Sequence, residues 1–117
     1  MIIPLSEVIN EFREFHWRPR LWMVDTLLSE YCYLHCLAMK GERKLYHALP
    51  QYLNGLSEIV AMCSHDKMDD VSSIYRKLIF ECVGNSIEHK ELLLTCAHFG
   101  CATAIDCNSA YLTIRCG

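Results

Sequence analysis

Cys32, His35 and Cys36 stand at i, i+3 and i+4, so a helix through them would set two thiols and an imidazole on one face. Cys96, His98 and Cys101 make a second cluster of the same types. Together the two could supply the four donors of a zinc site. Structural zinc usually sits on Cys-x2-Cys knuckles at turns, and neither cluster has that spacing. Leu34, Leu37 and Leu94 around them read as plain core, so no metal and no other cofactor is expected.

Cysteine nucleophiles need a neighbouring histidine and a group that orients it. His35 and His98 adjoin cysteines in the chain, but ordinary helix packing explains that adjacency equally well. A nucleophile elbow, a Walker loop, a dinucleotide fingerprint and a His-Glu-x-x-His motif are all missing. Asp66, Asp69 and Asp70 lack calcium-loop spacing and read as a capped loop. The expectation is a protein that is not an enzyme. The eight cysteines (32, 36, 63, 82, 96, 101, 107 and 116) would suggest disulfides in a secreted chain. Most fall at apolar positions of expected helices, where a free thiol acts as a small hydrophobe in a reducing compartment.

The elements that must position these residues come from 117 residues, 52% hydrophobic and 21% charged. That composition excludes intrinsic disorder and allows one domain. It is more apolar than one small helical core requires, so part of the surplus is expected on the surface as a partner patch. A net charge of −3 leaves no footprint for nucleic acid. The densest basic stretch, Arg13 to Arg20, also holds Glu14 and bulky aromatics and reads as a solvated helix end and turn. With no uncharged apolar run of ~18 residues, membrane insertion is not expected. Met1 to Phe15 lacks the layout of a signal peptide, which points to the cytoplasm.

Periodicity predicts a helix over 6–15, ended by Pro19, and a second from Pro19 to Lys40 that is apolar nearly all round. Gly41 reads as its C-cap. A third helix over 42–54 carries Pro50 as a kink, and a shorter one spans 56–63. Helices over 71–82 and 87–99 follow, capped by Asp69 or Asp70 and by Ser86. A last helix is expected over 101–111, with 112–117 as an irregular tail. The predicted fold class is all-α: stacked helical hairpins in one domain over 1–117, with residues 1–18 as an N-terminal helix and linker.

Aligning Gly41 with Gly100 superposes Leu34 on Leu93, Ala38 on Ala97, Tyr52 on Tyr111 and Leu53 on Leu112, the grammar of a helical repeat. The segments Met39-Lys40-Gly41-Glu42-Arg43-Lys44-Leu45, Tyr52-Leu53-Asn54-Gly55 and Glu91-Leu92-Leu93-Leu94-Thr95-Cys96-Ala97 carry a resemblance to a known family. The chain is similar to the tetratricopeptide-like chaperones of bacterial type III secretion needles over roughly residues 30–110.

That resemblance implies a bacterial cytoplasmic chaperone in a heterodimer or heterotrimer with a needle subunit and a small helical co-chaperone. The subunit's amphipathic helix would lie in a concave groove, which keeps the subunit from polymerising early. The residues expected to face the groove are Tyr46, Leu49 and Leu53, then Leu92, Cys96 and Phe99, with Tyr75 and Leu78 between them. The alternative is a small zinc-stabilised or dimeric helical regulatory module.

Overall fold

Ser109–Cys116 is rich in the aromatic and β-branched residues that suit a pleated sheet. In the computed structural model, which describes residues 3–117, this segment is β3, the centre of a three-stranded antiparallel sheet. It lies between β1 (Ser57–Ser64) and β2 (Phe99–Ile105). Four helices accompany the sheet: α1 (Leu5–Phe15), α2 (Thr26–Glu42), α3 (Val71–Arg76) and α4 (Ile87–Thr95). The α3 helix runs on as a wider π-helical stretch, Lys77–Val83.

Both faces of the sheet are covered. Ala110, Leu112, Ile114 and Cys116 of β3 share one cluster with Val8, Ile9 and Phe12 of α1 and with Ile74, Leu78, Ile79 and Leu93. Tyr111 turns the other way and packs with Cys36 and Met39 of α2, Val60 and Ala104. On that face the Cys36 sulfur and Thr113 Oγ1 lie within hydrogen-bond distance at 3.2 Å. The result is a helix–sheet–helix sandwich.

The α2 helix is tied closely to the sheet. The Asp25 carboxylate caps it by accepting the Leu28 N–H at 3.0 Å, while the Asp25 N–H donates to the Phe99 carbonyl at 2.9 Å. Gly100 makes the approach possible, since a Cβ there would lie 2.4 Å from Leu28 Cβ. On the α1 side, the Asn10 amide clamps both backbone groups of Leu21. Buried Arg13 donates to the carbonyls of Pro19 and Leu93 at 3.0 and 2.6 Å.

The all-α expectation is overturned by this sheet. The predicted helix over 56–63 is β1, and the predicted helix over 101–111 is most of the β2–β3 hairpin. The supposed irregular tail is the larger part of the central strand. Strands buried on both faces show no period-2 alternation, so their apolar runs pass for helix. Of the region 42–54, only Glu42 is α-helical, as the last residue of α2; residues 44–49 form no helix, and a single 3-10 turn, Pro50–Tyr52, leads into a turn at 53–55. Arg43, in the left-handed conformation, ends α2, and Gly41 lies inside the helix. The helical repeat fails too, because Gly41 is helical and Gly100 lies in a strand.

Candidate binding cleft and its buried charge pair

α2 carries two apolar stripes. Cys32, Cys36 and Met39 are fully buried against the sheet. Leu27, Tyr31, Leu34 and Ala38 point elsewhere and remain exposed, Leu34 to 61%. They form one wall of a cleft of ≈ 850 Å³. The facing wall is the segment that follows the helix, with Tyr46, Leu49, Tyr52, Leu53 and Leu56. That segment does not continue α2, because Arg43 turns left-handed at the helix end and residue 49 is held in the β region before Pro50. His35 fastens the two walls, its Nε2–H donating to the Tyr46 carbonyl at 2.7 Å.

One end of the cleft is polar. Glu58 and Arg115 are direct partners across β1 and β3, both buried, with Nε donating to Oε2 at 3.2 Å. The other carboxylate oxygen of Glu58 accepts the Ala48 N–H at 2.8 Å and faces His47 Nδ1 at 3.1 Å. The charge pair therefore anchors the second wall of the cleft. His89 of α4 brings its ring within 6.3 Å of the His47 ring, centroid to centroid. Burial, and after it the neighbouring His47, holds His89 below the ordinary imidazole value.

This arrangement offers an apolar channel closed by a few convergent polar groups, the usual make-up of a binding site. Its imidazole–carboxylate pair could orient a proton, but among the described residues no hydroxyl or thiol hydrogen-bonds to either ring. Two imidazoles approach each other here, and Glu58 stands behind one of them. Among the described residues no group of three or more His, Cys, Asp or Glu side chains is arranged to hold a metal ion.

The two cysteine–histidine clusters meet only through Cys101, and His35 and Cys96 turn elsewhere. Cys32 and Cys36 point into the sheet, donating to the Gly100 and Ala102 carbonyls, while His35 turns to Tyr46. Cys96 lies beside Arg13 and Cys116, and Cys101 is placed near Cys32 and Cys36.

Of the residues expected to face a groove, Tyr46, Leu49 and Leu53 line the cleft. Leu78, Cys96 and Phe99 are buried in the core, and Tyr75 and Leu92 pack against it half-buried. Sequence reasoning missed Glu58, Arg115 and the outer stripe of α2. A signal for the pair existed: each is the only charge within its apolar strand.

No family model matches the chain, and no curated protein matches it. Solved structures share its fold. One is the hookworm secreted protein NaASP2, crystallised with Zn2+, at a TM-score of 0.66 and 15% identity over 97% of this chain and 76% of that one. Another is an outer surface protein from Borrelia burgdorferi, at 0.64 and 16% over 96% of this chain and 88% of that one. At such identities the likeness is one of fold. It replaces the resemblance to tetratricopeptide-like secretion chaperones, whose stacked hairpins have no place for this sheet.

Proposed function

We propose that the domain is a non-enzymatic protein-binding module that holds an amphipathic helix of a partner in the cleft between α2 and the Tyr46–Leu56 segment. The observation that carries this reading is the outer stripe of α2. Leu27, Tyr31, Leu34 and Ala38 recur at alternating intervals of four and three, the seam spacing of paired helices. The stripe is about 16 Å long at 1.5 Å per residue, enough for roughly three turns of a partner. Such a partner would present its own anchors at i, i+3, i+4 and i+7. Gln51, Asn54 and His47 at the margins would meet its polar face.

A photo-crosslinking amino acid at Leu34, and separately at Leu49, tests the proposal in the cell of origin. Both positions should crosslink to one partner, at residues of that partner three or four apart. Crosslinks to unrelated proteins from the two positions, or to none, would overturn it.

A second reading is favoured by the close approach of His47 and His89 and by the Zn2+ with which the fold relative NaASP2 was crystallised. Two imidazoles, with Glu58 orienting one from behind, would make an incomplete cation site finished by solvent. Calorimetric titration with Zn2+ decides it: heat that disappears in His89→Ala supports the site, and no heat in the parent removes it.

A further inference from the structure

We infer that the loop between α1 and α2 docks this protein on an anionic lipid bilayer surface, with Trp17 and Trp22 seated at the interface. This goes beyond the helix-binding reading and does not depend on it. Trp17 is 93% exposed, Trp22 83% and Met23 82%, and Phe15 at the end of α1 is exposed as well. These are the only two tryptophans in the chain, and neither is used in the core.

They are not exposed because the loop is loose. Asn10 grips the Leu21 backbone, and Arg13 donates to the Pro19 carbonyl and accepts the Arg18 N–H on its own carbonyl at 2.9 Å. Arg20 binds Glu7 and Glu14. Backbone groups of the loop are thus held inward and Leu21 and Val24 pack against the core, while Trp17, Trp22 and Met23 are left outward. Trp17 is even held at φ 62°, a conformation that a bulky residue rarely adopts.

Charge selects the partner. Two cations stand close to the residue that precedes Trp17: Arg18 and Lys90 both act on His16, and among the described residues neither is in an ion pair. Arg20 covers the Trp22 ring at 5.2 Å and takes up the two nearby carboxylates, and Asp25 is engaged as the cap of α2. Protruding indoles flanked by cations suit a headgroup region, which takes an amphipathic ring without a preformed pocket. A protein partner would have to supply a cavity for each ring.

The test uses the full chain with phosphatidylcholine vesicles, with and without phosphatidylglycerol. Co-sedimentation with the anionic vesicles is expected, together with a shift of tryptophan emission to shorter wavelength and quenching by brominated acyl chains. In Trp17→Ser/Trp22→Ser the bound fraction should fall about tenfold or more, since interfacial binding scales with buried apolar area. Arg18→Glu/Lys90→Glu should abolish the preference for phosphatidylglycerol. Absence of co-sedimentation, or binding unchanged in the double tryptophan variant, would overturn the inference. So would an emission shift that follows protein concentration without lipid, because the loop would then join copies of this chain. Both tryptophans are outside the core, so a thermal melt matching the parent will show that the variant is folded.

Discussion

Arg115 and Glu58 face each other across the β1–β3 ladder and close a buried ion pair at 3.2 Å, and the same carboxylate fixes the backbone of Ala48. Removing one charge strands the other in the interior. Arg115→Met should therefore cost about 3–5 kcal/mol in urea denaturation, and Glu58→Leu/Arg115→Met together much less than the single variant. A double variant as unstable as the single would show that the pair is no more than packing.

The outer stripe of α2 should behave in the opposite way. Leu34→Asp alters an exposed side chain, so unfolding free energy should stay within about 0.5 kcal/mol of the parent. Crosslinking from position 49 to the partner should nevertheless be lost. Loss of stability alongside would mean that Leu34 is part of the fold.

The histidines should titrate apart. Both ring nitrogens of His65 face carbonyls, of Asp66 at 3.0 Å and of Asp106 at 2.8 Å, and only the imidazolium can donate to both. Those bonds raise its proton affinity, first through Asp66. Its contribution to stability is present below the unfolded value near 6.5 and is lost as pH rises through the higher folded value. His89 and His16 are held down, chiefly by burial. Theirs is present above about 6.5 and is lost as pH falls through the lower folded values. NMR titration of the ring protons should place His65 above His89 and His16, and the reverse order would refute this account.

Thiol accessibility should separate Cys107 from the others. Cys107 is exposed and should be alkylated first in the native state. Cys96 is drawn below the ordinary thiol value by the thiol of Cys116 and, after it, by Arg13, against the effect of burial. Its near-complete burial should keep it slow until the protein unfolds. Mass spectrometry after a short iodoacetamide pulse gives the order directly.

Helices with one wet face were legible in the sequence, and strands with none were not. The α1 stripe, the Asp70 cap and the Ser86 cap lie where their residue types put them. β3 could not be read that way, because Ala110 to Cys116 are buried without interruption. The cleft was half legible: Tyr46, Leu49 and Leu53 line it for a reason other than the helix imagined for them. The chain leaves α2 at Arg43 and Pro50 starts a short 3-10 turn, so their segment runs beside α2, where apolar residues find a wall to face. Apolar spacing alone gave Phe99 and Leu78 the same standing, and only the sheet separates core from cleft.

The strand order has a consequence for biosynthesis. β1 and β2 are not neighbours; the one strand that each pairs with in the sheet is β3, which the ribosome makes after both. Until Ser109–Cys116 emerges, β1 has no mate for its backbone, and the apolar run Ile59 to Cys63 hangs as an open template for wrong pairing. A nascent chain stalled before residue 109 should accordingly be protease-sensitive through 57–64, and release of the last strand should protect β1 and β2 in one step.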